Sequence, residues 1–257
     1  MRYEEKPRAR DERMKAILPE LARKAPWSGY RPMWRQVRET VEAIGENAFR
    51  RLWKLLDLRA RKPLKPRKRT PRLQVLPGLR SGGLNQGWCM DFMKDKTRDG
   101  RALRILSIVD EYTRECIALL VARSFKAVDV IVALEALVSR RGRPAYLRSD
   151  NGPEFVAKEV KRWADGKGVR LVRSEPGSPW QNPFSETFHS RARWEFLERE
   201  EFGSLVEAQV LCESYRLWYN EQRPHSALGY LPPARYAEMV RWTAPAQPVP
   251  PVGLQPA

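Results

Sequence analysis

The sequence has 257 residues, 42% hydrophobic and 31% charged, which is typical of a globular chain with one large domain and one smaller one. Its formal net charge of +17 is too large for solubility alone and indicates a polyanionic partner. There is no apolar stretch of the roughly 20 residues that span a bilayer and no visible signal peptide, while two histidines exclude a zinc finger and three scattered cysteines argue against a disulfide framework.

The basic residues are concentrated at the front of the chain. Residues 1–80 contain 23 basic and 9 acidic side chains, a net charge of +14, whereas residues 81–257 carry a net charge of +3. We therefore expect the front to be an electrostatic anchor and the nearly neutral remainder to be a catalytic body. The odd number of cysteines favours a reducing cytoplasm.

Residues 1–60 are predicted to form a small, basic helical domain. Pro32 suits the first position of one helix, and Asn47 is a candidate cap for the next, which carries the candidate DNA-binding residues Arg50, Arg51 and Lys54. Two basic helices joined by a turn indicate a helix-turn-helix reader of DNA. A helical bundle whose basic faces are merely solvated fits the pattern equally well.

Residues 61–87 are predicted to be a basic linker that follows DNA phosphates. Eight Lys or Arg residues and no acid occur between residues 59 and 72, and Arg67, Lys68 and Arg69 are the candidate DNA contacts there. At the other end of the chain, residues 241–257 contain five prolines and almost no charge beyond Arg241, so we expect a disordered tail.

Residues 88–240 show the alternation of an α/β domain. Strands are predicted at 88–93, 105–109, 117–121, 146–149 and 169–172, and helices at 126–140, 156–164, 182–199 and 204–220. Three antiparallel strands followed by alternating helix and strand predict a mixed sheet flanked by helices.

Three acidic residues fall where such a sheet would bring them together. Asp91 interrupts an apolar strand, Asp150 ends another, and Glu186 lies in the first turns of a helix, with 35 residues between the last two acids. Phosphodiester cleavage and strand transfer need hard oxygen ligands for two Mg²⁺ ions, and carboxylates supply them. Arg193, two helical turns after Glu186, is a candidate phosphate contact.

Five segments carry a family resemblance, and they follow one another in order between residues 88 and 236. They are Trp-Cys-Met-Asp-Phe (88–92), Ser-Ile-Val-Asp-Glu-Tyr-Thr-Arg-Glu-Cys (107–116), Arg-Ser-Asp-Asn-Gly-Pro-Glu-Phe (148–155), Pro-Trp-Gln-Asn-Pro-Phe-Ser-Glu-Thr-Phe (179–188) and Tyr-Asn-Glu-Gln-Arg-Pro-His-Ser-Ala-Leu-Gly-Tyr (219–230). This set resembles the OrfB-type transposases of the insertion-sequence-three family, within the retroviral integrase superfamily.

The resemblance implies a fold, a reaction and a set of site residues. The fold would be RNase H-like, with a five-stranded mixed sheet. Asp91, Asp150 and Glu186 would be the Asp-Asp-Glu ligands of two Mg²⁺ ions, for which Mn²⁺ would substitute, and Arg193 the basic residue that follows the Glu. Water would attack at an element end, and the freed 3′-hydroxyl would then attack a second phosphodiester.

The remaining candidate contacts each have a structural alternative. Asn151, Gln181 and Asn182 stand beside the acids as possible DNA contacts, but turn residues that cap local backbone explain them at least as well. Arg223 and His225 follow the last predicted helix, where a structural turn is the stronger interpretation.

The resemblance also implies partners. These are double-stranded DNA at element ends and target, further copies of the chain on that DNA, and an upstream-frame helix-turn-helix protein of OrfA type, as a partner or a fusion. The expected location is the bacterial cytoplasm, at the nucleoid. Two alternatives stay open, namely a catalytically inactive DNA-binding regulator of transposition and an RNase H-superfamily nuclease that cleaves without joining.

Overall fold

The computed structural model describes residues 9–25, 28–41, 43–58, 81–174 and 181–243. The front of the chain forms three helices, α1 (Ala9–Lys24), α2 (Tyr30–Thr40) and α3 (Glu46–Leu55). Their apolar faces make a separate core that includes Met14, Val37 and Phe49. The expected helical region is therefore present, while its assignment as a helix-turn-helix stays a prediction.

Helix α3 begins two residues earlier than the sequence predicted. Gly45 precedes the first turn in an extended conformation, and Asn47, the expected cap, is an exposed residue inside the helix. Glu46 occupies the first turn, where a carboxylate is stabilised by the amino end of the helix. Its Oε1 also accepts a hydrogen bond of 3.3 Å from Arg31 Nε, which ties the start of α3 to the start of α2.

A mixed sheet of five strands follows, as the sequence predicted. The strands are β1 (Gly87–Lys96), β2 (Ala102–Asp110), β3 (Cys116–Ala122), β4 (Tyr146–Ser149) and β5 (Arg170–Arg173), in the spatial order β3-β2-β1-β4-β5. The pairs β1–β2 and β2–β3 are antiparallel, whereas β1–β4 and β4–β5 are parallel. Strand β1 thus lies at the centre of the sheet.

Helices cover both faces of the sheet. They are α4 (Ala127–Arg141), α5 (Pro153–Val156), α6 (Lys158–Lys167), α7 (Pro183–Glu195) and α8 (Leu205–Glu221), and a last helix, α9 (Pro233–Thr243), packs against α8. Because side chains alternate along a strand, Trp88 and Met90 pack toward α4, while Cys89 and Met93 pack toward α7 and α8. Asp91 has the same parity as Cys89 and so belongs to the α7 face.

Three helical expectations differ from the structure. The helix expected at 156–164 is divided into α5 and α6, because Ala157 adopts an extended conformation. The helix expected at 182–199 ends at Glu195, where Phe196 turns inward and stacks on Tyr215 with ring centroids 4.8 Å apart. Helix α9 was not predicted, and its last turn includes residues 241–243, which the sequence had placed in the tail.

Some predictions fall on residues outside the described part of the chain. Arg67, Lys68 and Arg69, most of the linker, and residues 244–257 of the expected tail belong to this group. In the described ranges, none of the helices is both long and apolar enough to cross a membrane. The three cysteines, Cys89, Cys116 and Cys212, are free thiols buried in the core.

Candidate active site

The parallel pairing of β1 with β4 brings two of the predicted acids to one place. Cys89 is level with Arg148 in this pairing, and continuing the register by two residues brings Asp150 level with Asp91. Neighbouring strands lie about 4.8 Å apart, and both acids have the parity of the α7 face. Asp150 follows the last residue of β4, where its Oδ1 accepts a 3.0 Å hydrogen bond from the Gly152 amide.

Helix α7 brings the third acid over the same face. Phe188 and Ala192 of α7 pack in the same cluster as Cys89, two residues before Asp91. Glu186 lies in the first turn of this helix, partly buried at its amino end. The sheet register and the packing of α7 therefore bring the three predicted acids toward one end of the central strands.

Asp91 is an unusual carboxyl group. Burial, with a smaller contribution from the negative charges of Asp150 and Glu186, raises its pKa to about 7, against the lowering effect of a 2.7 Å hydrogen bond from the Phe92 amide. Its side chain keeps 21% exposure. Burial also raises the pKa of Glu186. A carboxyl group whose ionisation is opposed by burial and by two nearby acids is one that a bound cation would stabilise.

The three carboxyl groups are not close enough together to hold one metal ion as they stand. Among the residues that the structure describes, no three His, Cys, Asp or Glu side chains are arranged to hold a metal ion. Mutual repulsion of carboxylates gives a physical reason for such an open arrangement. As a donor set, three carboxylates still fit a hard divalent cation such as Mg²⁺.

His189 belongs to this site and was missed by the sequence analysis. It lies one turn after Glu186, with Nδ1 3.5 Å from Asp91 Oδ2 and Nε2 2.7 Å from Ser107 Oγ. The Ser107 hydroxyl also lies 3.2 Å from the main-chain oxygen of Asp91. Burial, and then the charge of Arg193, lowers the pKa of His189 to about 4, so the imidazole is neutral. The i, i+3 spacing from Glu186 was the one available signal.

The predicted amide contacts have mainly local partners. Asn151 Nδ2 donates a 2.6 Å hydrogen bond to the Ser174 main-chain oxygen, which joins the loop after β4 to the end of β5. Gln181 and Asn182 are buried. Asn182 Nδ2 lies 3.5 Å from the Met90 main-chain oxygen, next to Asp91. These contacts favour the structural interpretation, because the amides link strands and loops within the protein.

Arg223 and His225 also interact mainly with other parts of the protein. The Arg223 guanidinium makes a two-pronged ion pair with the buried Glu195, at 2.5 and 2.6 Å. Burial lowers the pKa of His225 to about 3, so it carries no charge for a phosphate. The turn interpretation is therefore the better one for both residues, because a DNA phosphate would have to displace Glu195 to reach Arg223.

Four of the predicted cationic DNA contacts, three on α3 and one on α7, have exposed side chains. Arg193 is exposed in the last turn of α7, where its charge contributes to the lowered pKa of His189. Arg50 and Lys54 lie one turn apart on the exposed side of α3, whereas Arg51 forms an ion pair with the buried Asp11 of α1. Arg50, Arg51, Lys54 and Arg193 are thus predicted cationic contacts with exposed side chains, although Arg51 is also held by its ion pair with Asp11.

Known proteins match this chain over most of its length. Two family models, each described as an integrase core domain, match residues 83–179 and 167–233. A protein of insertion element IS407 from Burkholderia multivorans is 34% identical over 251 residues, which cover 96% of this chain and 88% of the relative. The transposase InsD of insertion element IS2 from Escherichia coli is 28% identical, over 82% and 73% of the two chains.

One solved structure extends the likeness to the fold. A chain of the simian T-cell lymphotropic virus intasome, solved in complex with a regulatory subunit of PP2A, superposes with a TM-score of 0.56 at 16% identity, covering 94% of this chain and 80% of that one. The sequence matches and the shared architecture lead to one conclusion. The chain belongs to the insertion-sequence-three family of transposases, which have an RNase H-like core of the retroviral integrase type.

Proposed function

We propose that this transposase cleaves the ends of an insertion element and joins them to target DNA, using Asp91, Asp150 and Glu186 as metal ligands. The observation that carries the proposal is the pairing of β1 with β4, whose register sets Asp150 level with Asp91 on the face that α7 covers. Burial and the other two acids raise the pKa of Asp91 to about 7. An ionised carboxyl group at this position lowers the stability of the metal-free protein. Metal binding in a transposase would explain why an acid occupies the position.

The donor set suits two Mg²⁺ ions, with Mn²⁺ as a substitute. When bound, the ions would activate the attacking oxygen and stabilise the leaving oxygen of the phosphodiester. Asp91, on the rigid central strand, would be the fixed ligand, while Asp150 and Glu186 would be drawn toward it as their repulsion is relieved. His189 would orient the Asp91 carboxylate from one side.

The same residues would serve two successive reactions. In the first, a water oxygen bonds to the phosphorus at the element end and the 3′-oxygen leaves, taking a proton to become a hydroxyl. In the second, that 3′-hydroxyl loses its proton as its oxygen bonds to a target phosphorus, and the target 3′-oxygen leaves and takes up a proton. Arg193, an exposed cation in the last turn of α7, would hold a neighbouring phosphate. No bond between protein and DNA is formed at either stage.

The proposed partners follow from charge and from the need to hold two ends. The basic front of the chain, with Arg50 and Lys54 exposed, would bind duplex DNA through its phosphates. Two element ends need at least two copies of the catalytic site, so we propose a homo-oligomer assembled on DNA. An upstream-frame helix-turn-helix protein would share end recognition, and the complex would act at the bacterial nucleoid.

The test uses purified protein and labelled duplexes that carry the terminal sequences flanking the gene, with Mg²⁺ or Mn²⁺, and with or without the upstream-frame protein. We expect wild type to nick the ends and to join them to a second duplex. Asp150→Asn should abolish both reactions while leaving duplex binding intact. Asp165→Asn, which changes an exposed carboxylate on α6, is the matched control and should behave as wild type.

Each alternative function has its own signature in this assay. A regulator that only binds DNA would show salt-sensitive duplex binding with no nicking under any metal condition. A nuclease would nick without joining. Either result with the upstream-frame protein present would contradict the proposed strand transfer.

A further inference from the structure

A fully buried ion pair lies beneath the proposed active site. Arg148 in β4 is 0% exposed and precedes Asp150 by two residues on the same face of the strand. Its Nε donates a 2.6 Å hydrogen bond to Oε1 of Glu111, which is also fully buried. Tyr146 donates from its hydroxyl to the other oxygen of Glu111 at 2.7 Å. We call Glu111, Tyr146 and Arg148 the buried triplet.

The triplet joins three separate parts of the chain. Glu111 belongs to the turn after β2, and its amide donates a 2.9 Å hydrogen bond to the Gly87 oxygen at the start of β1. Arg148 belongs to β4. Arg148 Nη1 donates a 3.2 Å hydrogen bond to the main-chain oxygen of Gln181, in the segment that enters α7. One guanidinium therefore links the strand that leads to Asp150 with the segment that leads to Glu186.

The surrounding backbone is shaped to admit this arrangement. Tyr146 crosses β1 at Gly87, where a Cβ atom would stand 2.2 Å from the ring Cζ and 2.3 Å from the hydroxyl oxygen. Any side chain at this position would push the tyrosine away from Glu111. The glycine thus provides the close approach that the hydrogen bond from Tyr146 to Glu111 requires.

Stability alone gives little reason for such a pair. Taking two charges out of water costs about as much as their attraction returns, and well-packed apolar residues of similar volume often serve equally well. What apolar side chains cannot supply is a directional link between two segments, which the fork of a guanidinium makes through separate nitrogen atoms.

We propose that Arg148 and Glu111 are positioning residues that set the placement of Asp150 relative to Glu186, and so determine how tightly the three acids bind divalent cations. This inference rests on the proposed function, because it assigns the pair a role in that same site. Neither residue touches DNA or metal in this role. Arg148 acts through the end of β4 and the entry to α7.

The test removes the whole triplet at once, since removing one partner would leave a buried charge and could unfold the protein. The variant Glu111→Leu/Tyr146→Phe/Arg148→Met leaves no polar side chain of the triplet behind. We expect it to keep the wild-type circular dichroism spectrum and a similar melting temperature. Its affinity for Mn²⁺, measured by electron paramagnetic resonance without DNA, should fall by about tenfold or more. The kcat for joining should fall with little change in the KM for DNA.

A matched control removes a second buried cluster that lies away from the acids. Arg141 at the end of α4 forms a 2.5 Å ion pair with Glu115, to which Thr113 also donates a hydrogen bond at 3.1 Å. The variant Thr113→Val/Glu115→Leu/Arg141→Met should bind Mn²⁺ and join DNA as wild type does. If removing any buried charged cluster were enough to weaken the site, the Mn²⁺ affinity and the joining activity of both variants would fall equally.

The outcomes separate the inference from the function on which it rests. If the wild-type protein binds no Mn²⁺, both the proposed function and the positioning role are contradicted. Wild type that binds Mn²⁺, alongside a folded triplet variant of unchanged affinity, overturns the positioning role alone. If the triplet variant unfolds, Arg148→Lys decides the question, because a lysine keeps the charge but lacks the fork. It should bind Mn²⁺ more weakly than wild type, and equal affinity would overturn the inference.

Discussion

His225 offers a quantitative test of the folded structure through its pH dependence. It lies half-buried in the loop between α8 and α9, and burial, followed by the charges of Arg223, Arg114 and Arg191, lowers its pKa from 6.5 to about 3. Because the pKa is lower in the folded state, the unfolded state takes up a proton first as the pH falls. The stability due to neutral His225 is therefore complete above pH 6.5 and is lost toward pH 3.

The size of the effect follows from these two values. At pH 5 the unfolded state is almost fully protonated at this position and the folded state is not, which removes about 2 kcal/mol of unfolding free energy relative to pH 7. The variant His225→Gln cannot titrate and should lose about 2 kcal/mol less over the same interval. His189, whose pKa is also lowered, is present in both proteins, so its contribution cancels.

Urea unfolding at pH 7, 6 and 5 measures the difference directly. We expect the wild-type and His225→Gln free energies to change relative to each other by about 2 kcal/mol over these two pH units, whatever the offset at pH 7. Parallel pH profiles for the two proteins would refute the buried, neutral state of His225. They would also reopen its assignment as a DNA contact, which needs a charged or exposed imidazole.

Three further predictions concern other parts of the core. Asp91→Asn should abolish catalysis and raise the stability of the metal-free protein at pH 8 by up to about 4 kcal/mol, because burial raises the pKa of the Asp91 carboxyl from 3.8 to about 7 and its ionised form is then costly. A lower melting temperature for the variant would contradict this. Gly87→Ala should lower the melting temperature by several degrees because of its clash with the neighbouring tyrosine ring. Gly166→Ala, on α6 with open space around it, should raise stability by about 0.5–1 kcal/mol, and equal effects at the two glycines would exclude the steric argument. Glu195→Leu should cost about 3–5 kcal/mol in urea unfolding by leaving the Arg223 charge buried, and adding Arg223→Met should restore most of the loss.

The arrangement of the acids suggests how stability and function are divided in this protein. Asp91 is held on the central strand, where burial opposes its ionisation, while Asp150 follows the end of β4 and Glu186 lies in the first turn of α7. In the proposed function a bound cation would supply the missing attraction, so the folded protein would be more stable with the cation bound. The apparent melting temperature should then rise with Mn²⁺ concentration, as for any ligand that binds the folded state alone.

Much of the fold could be read from local patterns. The strand at 146–149 was predicted with its observed bounds, since its apolar residues stand between Pro144 and the polar turn that begins at Asp150. The central strands were found but placed too short, because charged residues extend each of them beyond the apolar run. Helix α9 was missed since it follows two prolines and leads into a Pro-rich segment, and its helical pattern is short.

Some residues of the candidate site could also be predicted from the sequence, and others could not. The residues Asp91, Asp150 and Glu186 stood out through strand ends, helix starts and family motifs, and they remain predictions as ligands. His189 did not stand out, because its proximity to Asp91 depends on how α7 packs across β1. Arg223 was named as a DNA candidate, and only its approach to Glu195, 28 residues away in sequence, shows that its charge is already neutralised.

The sequence by itself determined the fold class, the family and the identity of the candidate acids, because periodicity and motifs are carried by residues close together along the chain. Only the tertiary structure decided which polar groups meet in the interior. Glu111 and Arg148 are 37 residues apart, and nothing local distinguishes them from solvated surface charges. Burial makes an unpaired charge prohibitive, so the partner that folding brings alongside each charge determines what that charge can do.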